Sequence, residues 1–321
     1  MTTPEHSATV SPVQSGPSPS SPARLLILTL YCGEPQYAQQ CKALEEQTFT
    51  SFDHWVLAYL PNAEAHRTLY SQIMENRDNY DYFLKLDADM VPSRPTALDE
   101  MLAFAMNRPE VDHIQFRMWD FFTDRLMPAL HLFSKRVSWQ LQNESLFVDP
   151  KPKVIGERIK HNRAPVPFID HSPDPSPQQC FEFGVHRGLK AFQPGRNKKE
   201  FDAIRFQLNV LFDTYKCWVR HGDRRHLLVI AGADLVARGL IDPDDSYKHG
   251  NYSQARFKEL EAKSNADITG TLSPFWATPQ RRRLRLWREI GLKGLGHRQR
   301  KKIRKAIRRT KLNILKITED T

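Results

Sequence analysis

The chain has 321 residues, 40% hydrophobic and 26% charged, with a net charge of +10; that is enough for one large α/β domain plus tails or for two small domains of about 100–200 residues each. No run of about 18 uncharged apolar residues occurs and the N-terminus lacks the charged-then-apolar layout of a signal peptide, so neither spanning nor secretion is indicated and a cytoplasmic location is expected. Its four cysteines, Cys32, Cys41, Cys180 and Cys217, show no C-x-x-C pairing or regular spacing, which argues against a zinc ribbon or a disulfide framework and for free thiols.

Residues 1–23 hold eleven Ser or Pro and almost no large apolar side chains, the composition of a disordered leader. Order begins with Leu25-Leu26-Ile27-Leu28-Thr29-Leu30-Tyr31, an apolar run of strand length closed by Gly33, as expected for a central strand buried on both faces. Pro35 suits the first turn of a helix whose apolar face would be Tyr37, Cys41 and Leu44. A second strand, His54 to Leu60, runs into Pro61-Asn62, where Asn62 can cap a helix carrying Leu69 and Ile73. The third strand, Tyr82 to Leu86, ends in Asp87-Ala88-Asp89, and the next helix opens at Thr96 with Asp99 three residues on, a capping-box pattern.

Three strand–helix units in succession predict a mostly parallel sheet flanked by helices, with right-handed crossovers. Ligands of such sheets collect at the carboxyl ends of the strands, where Asp87 and Asp89 fall. A fourth strand, Val111 to Trp119, follows, and the pattern is then irregular to about Pro177. Later helices are predicted over Phe201 to Tyr215 and Arg224 to Leu240.

Two carboxylates one residue apart at the end of a buried strand repel each other and lose hydration, and a bound cation removes that conflict. Magnesium and manganese prefer oxygen ligands and typically bridge one or two carboxylates to substrate phosphates, so the Asp87-Ala88-Asp89 turn has the chemistry of a metal–diphosphate bracket. The alternative is an ordinary turn, with Asp89 capping it and Asp87 solvated.

The stretch Leu25–Arg94 resembles the nucleotide-binding half of family-2-like GT-A glycosyltransferases. An apolar strand enters an early Glu34, an amphipathic helix ends in Glu45-Glu46-Gln47-Thr48, and a second strand is followed by Phe83-Leu84-Lys85-Leu86-Asp87-Ala88-Asp89. The resemblance implies a GT-A, Rossmann-like α/β fold over 24–278, with a nucleotide-binding half at 24–120 and an acceptor half at 121–278. It implies transfer of a sugar from a nucleotide-diphosphate donor, with Mn2+ or Mg2+, to a glycan or lipid-linked acceptor in polysaccharide or glycolipid synthesis. Asp89 would be the direct metal ligand, Asp87 would hold ribose or a metal-bound water, and Tyr31, Glu34 and Lys85 would line the donor site. Where family members carry an Asp-Asp-Gly-Ser-like turn to grip the base, this chain reads Leu60-Pro61-Asn62-Ala63-Glu64-Ala65-His66, which leaves the base and the donor open.

Such enzymes often complete the metal site with a downstream histidine. The two candidates are His171 and His186, and Arg187 and Lys190 beside His186 would add phosphate-binding charge, which favours a Gly184–Lys190 loop. An inverting transfer needs a carboxylate to take the acceptor's proton, and Asp170, Asp174 and Glu182 are candidates by their order in the chain; inverting and retaining courses both stay open.

Residues 281–311 carry fifteen Lys or Arg against the single acid Glu289, a local charge of +14, so the rest of the chain sums to −4. Ile303, Ala306, Ile307, Thr310, Ile314 and Ile317 recur at helical spacing within and beyond this run, the pattern of a helix lying on an anionic membrane surface. With Trp287 as its only aromatic residue, the tail lacks base-stacking side chains, and nucleic acid is the less favoured partner.

Two other enzyme classes compete. In a haloacid-dehalogenase-like phosphatase Asp87 would be the nucleophile and Asp89 the acid/base, with Asp242-Pro243-Asp244-Asp245 as distal acids, but that motif belongs on the first strand of its domain and here two strand–helix units precede it. A nucleotidyltransferase would carry a Gly-rich basic loop after the first strand, and Tyr31-Cys32-Gly33-Glu34-Pro35 is neither.

Overall fold

A computed structural model describes residues 23–140, 153–155, 158–159, 167–192, 201–241 and 251–277. The leader up to residue 22, the Asp242–Asp245 run and the basic tail from 279 onward lie outside the described residues.

Strand β1 (Leu25–Tyr31) pairs in parallel with β2 (Phe52–Ala58) on one side and β3 (Tyr82–Asp87) on the other. Helices α1 (Tyr37–Glu45), α2 (Asn62–Glu75) and α3 (Ala97–Met106) follow these strands in turn. Leu25 and Ile27 enter a core shared with Leu44 of α1 and with Leu98, Met101 and Leu102 of α3, while Leu26 and Leu28 enter a second core against Leu69, Tyr70 and Ile73 of α2. That two-sided burial is why the run is apolar except for Thr29, whose buried hydroxyl is hydrogen-bonded to Gln40 and His54; each buried apolar side chain contributes about 1.5–3 kcal/mol.

The sheet is mixed, not mostly parallel. Eight strands form it, in the order β2-β1-β3-β6-β5-β10-β4 with β9 also on β5. Strand β6 (Arg125–Ser134) runs antiparallel between β3 and β5 (His113–Asp120), because β5 and β6 are joined by the short turn Phe121–Asp124, and a hairpin reverses direction. The sequence between Trp119 and Pro177 reads as irregular chiefly because Pro128 interrupts β6; Pro128 pairs with Arg117, and its neighbour Ala129 is the residue left over at the register shift between Phe116 and Arg117. Strand β10 (Ile169–His171) lies parallel to β5 and antiparallel to β4 (Met90–Pro92), and the two-residue β9 (Arg158–Ile159) is parallel to β5. Strands β7 (Ser138–Gln140) and β8 (Lys153–Ile155) make a separate antiparallel pair.

Strand β4 begins three residues after β3 ends yet closes the opposite end of the strand order. Three residues reach about 11 Å at most. The sheet must therefore curl until its β10–β4 edge faces the carboxyl end of β3.

Several local expectations are corrected. Pro35 precedes α1, whose buried positions are Gln40 and Leu44, with Tyr37 and Cys41 half-buried. Thr96 precedes α3 without a side-chain cap, its hydroxyl donating to Glu100, while Asp99 accepts from Thr48. Asn62 is the first residue of α2 and Pro61 occupies the capping position.

A third core joins α4 (Pro177–Phe192), α5 (Phe201–His221), α6 (Arg224–Ala237), α7 (Asn251–Glu261) and α8 (Asn265–Thr271). Helices α4 and α6 cross through Gly184 and Gly232, where a methyl group would overlap the backbone carbonyls of Val229 and Phe181. The four cysteines are free thiols, and among the described residues no helix is long and apolar enough to cross a membrane.

Candidate active site

Residues two apart on a strand share a face, so Lys85 and Asp87 of β3 project together; the Lys85 Nζ lies 2.7 Å from the Asp87 Oδ1. The protein itself therefore balances the charge of Asp87. The turn that follows is pinned by the Ala88 amide, which donates to the Leu30 carbonyl of β1 at 2.9 Å.

Asp89 meets the end of β10. The Ser172 hydroxyl donates to the Asp89 Oδ2 at 2.6 Å and the Ser172 amide donates to the Asp89 carbonyl at 2.6 Å. Ser172 makes this double contact from a left-handed backbone (φ 50°), a conformation that costs a non-glycine residue energy and clusters at functional sites. One residue earlier, the His171 Nε2 lies 3.5 Å from the Asp89 Oδ2 and its Nδ1 lies 2.6 Å from the Asp120 Oδ1. Asp120 is fully buried at the end of β5, beside His171 in the β5–β10 register, and its other oxygen accepts from the Thr123 amide at 2.9 Å and from the Thr123 hydroxyl.

Burial disfavours the His171 imidazolium, but the charge of Asp89 and the hydrogen bond and charge of Asp120 together outweigh it and raise the pKa. Burial likewise raises the carboxyl of Asp120, and the hydrogen bonds and charge of His171 and Thr123 reverse the sign, leaving it lowered. Phe122 and Phe183 stack on each other at 3.7 Å between centroids and pack beside the imidazole, walling it off from water. Arg187 lies over the Phe183 ring and donates from Nη1 to Gln207 at 2.8 Å, its buried Nε has no hydrogen-bond partner among the described residues, and its charge is felt by both His171 and Asp120.

This donor set fits a divalent cation held in part by substrate. No cluster of three or more His, Cys, Asp or Glu able to hold a metal occurs among the described residues. Mg2+ and Mn2+ are usually taken by one or two carboxylates with phosphates and waters completing the shell; Asp89 could supply that carboxylate and His171 an additional nitrogen ligand. A carboxylate that fixes the tautomer of a metal-binding histidine is a recurring outer-shell feature, and Asp120 stands where it would do so.

The other predicted residues are placed as follows. His186, Arg187 and Lys190 lie within helix α4, not in a loop; His186 is half-buried and Lys190 is buried. Tyr31, at the carboxyl end of β1, stacks on Tyr37 and meets Tyr59 edge-on, and Glu34 accepts from the Cys32 amide at 2.6 Å. Strand alternation puts Asp170 on the face opposite His171. Asp174 is exposed and paired with Arg225 at 2.6 Å. Glu182 accepts from the Gln178 Nε2 at 2.9 Å and lies one turn of α4 beyond Gln179, which touches Gln36. Reasoning from sequence missed Asp120 and Ser172; the one signal for Asp120 was its place at a strand's carboxyl end.

Burial pushes the Glu182 carboxyl up from 4.5 to about 7. A carboxyl whose folded pKa is raised contributes stability that is fully present below its unfolded pKa and is lost as pH rises through the folded one. Glu182→Gln, permanently neutral, is therefore expected to melt like the parent at pH 4 and above it at pH 8, the gap opening across that window. A constant gap in thermal melts would contradict this.

No protein-family model matches the chain, and no curated protein matches it. Among solved structures, a protein from STIV overlaps it at TM-score 0.27 and 13% identity, over 35% of this chain and 64% of that one. A glycosyltransferase involved in the glycosylation of the major capsid of PBCV-1 overlaps it at 0.26 and 14%, over 35% and 60%. TarS of S. aureus overlaps it at 0.29 and 11%, over 67% and 53%. The chain thus spans less than two thirds of each of these structures.

Proposed function

We propose that this chain is a nucleotide-sugar-dependent glycosyltransferase, with Asp89 and His171 holding Mn2+ or Mg2+ against the donor diphosphate. The observation that carries the reading is the Asp120–His171–Asp89 line, in which a buried carboxylate turns an imidazole nitrogen toward a second carboxylate at the end of a central strand. A cation bound there supplies charge neutralisation to the departing diphosphate. Asp87, balanced by Lys85, is placed to accept from ribose hydroxyls. Arg187 is held by Gln207 and Phe183, so little conformational freedom is lost when its guanidinium meets a phosphate. On an inverting course Glu182, with a pKa of about 7, has the basicity to take a proton from the acceptor hydroxyl of a glycan or lipid-linked sugar.

In the phosphatase reading Asp89 would shuttle a proton to a substrate on Asp87. Asp89 is instead bonded to Ser172 and faces His171, and β3 is the third strand of the chain. The test is nucleotide release by the purified full chain from UDP-, GDP-, TDP- and CMP-sugars with manganese. Manganese-dependent release from a diphosphate donor is the expected result. Release from CMP-sugars alone would refute the diphosphate site, and a beryllium-fluoride-sensitive phosphatase activity without any release would refute the transferase.

A further inference from the structure

Glutamine is seldom chosen for the buried face of a helix, because each carboxamide must find its hydrogen bonds inside the protein. Helix α1 and its flanking residues nevertheless bury Gln36, Gln40 and Gln47 together with Leu44, a single stripe at helical spacing. Each glutamine stitches the helix to a different segment.

Gln40, with no exposed surface, donates from Nε2 to the carbonyls of Asp87 at 2.9 Å and Met90 at 2.6 Å, bracketing the turn that carries Asp89. Both partners only accept, which fixes the orientation of the amide and leaves Oε1 to receive the Thr29 hydroxyl at 3.0 Å. Thr29 has then used its proton, so its oxygen must accept from the His54 Nε2 at 2.9 Å. Gln36, one turn earlier, donates to the Pro173 carbonyl at 3.2 Å and exchanges two bonds of 2.9 Å with Gln179 at the start of α4. It thereby grips the chain two residues beyond His171. Gln47 donates to the Arg94 carbonyl and accepts from the Leu98 amide, tying α1 to α3.

Resting on the reading proposed above, we infer that α1 is a positioning element for the Asp89–His171 pair: Gln36 and Gln40 set the spacing of two segments that meet across some 80 residues of chain. Two ligands that share one cation must be held to within about 0.5 Å. The β4–β10 ladder sets Met90 opposite His171, but Asp89 sits in the turn before that ladder and Ser172 in a left-handed bend after it, and the glutamine bonds brace those two flanks. Gln47 has the same chemistry and burial on the same stripe but bonds away from the pair, and so provides an internal control.

The experiment is an electron paramagnetic resonance titration of Mn2+ into the full chain with UDP or GDP, alongside thermal melts, for Gln36→Leu, Gln40→Leu and Gln47→Leu. Leucine keeps most of the volume and removes the bonds, so all three variants should melt lower than the parent. At a temperature well below every melt, Gln36→Leu and Gln40→Leu are expected to weaken Mn2+ binding roughly 10–100-fold, the range for outer-shell partners, and Gln47→Leu by less than about twofold. Weakening that simply tracks the melting temperature across the three, or unchanged affinity in both Gln36→Leu and Gln40→Leu, would overturn the inference while leaving the proposed function intact. No Mn2+ binding by the parent with either nucleotide would sink both. If Gln40→Leu does not fold, Gln36→Leu, which gives up only one backbone carbonyl, makes the same comparison against Gln47→Leu.

Discussion

Asp89→Asn is expected to lower Mn2+-dependent nucleotide binding and turnover by more than about 100-fold, beyond the roughly 10–100-fold typical of outer-shell changes, while leaving the melting temperature close to that of the parent. The carboxamide oxygen can still accept from the Ser172 hydroxyl, and the Ser172 amide bonds the backbone carbonyl, which the substitution does not touch. What disappears is the charge that a cation and the imidazole both see. Asp87→Asn is expected to cost less, because Lys85 already balances that carboxylate. Parallel manganese titrations and thermal melts decide the matter: wild-type affinity in Asp89→Asn would show that the cation does not sit there, and a collapsed melt would show that Asp89 is structural.

Asp120→Asn is expected to do the opposite, damaging stability and the site together. Asp120 is fully buried and accepts on both oxygens, from His171 on one and from the Thr123 amide and hydroxyl on the other. A carboxamide has one acceptor end, so in either orientation its NH2 faces a donor. The imidazole can escape only by moving its proton to Nε2, which removes the lone pair that a cation would need and points an N–H at Asp89. Breaking a buried pair of this kind costs about 3–5 kcal/mol, a fall in melting temperature of roughly 10 °C for a domain of this size. Mn2+ affinity is expected to fall with it by roughly 10–100-fold. A stable Asp120→Asn with parental Mn2+ binding would remove Asp120 from the site.

The legible part of the fold was what local pattern encodes. The run Leu25–Tyr31 is apolar apart from Thr29 because both of its faces are buried, and the pairing of β1 with β2 and β3 follows from strand–helix alternation. The antiparallel β6 was hidden by Pro128, and the stripe of α1 was misread because its buried residues are glutamines, which no hydrophobic periodicity registers. Among the histidines, the charges next to His186 in sequence drew attention to α4, whereas the Nε2 of His171 is the one set 3.5 Å from Asp89.

The sequence by itself determined that Asp87 and Asp89 stand at the carboxyl end of a buried central strand, since a two-sided core requires an apolar run and the polar residues must follow it. Only the tertiary structure decided which groups meet them. The curl of the sheet brings β10 to the end of β3, the β5–β10 register sets Asp120 beside His171, and buried glutamines fasten both segments to one helix. Those contacts join residues some 50–80 positions apart, and they depend on hydrogen bonds and strand order that local spacing does not encode.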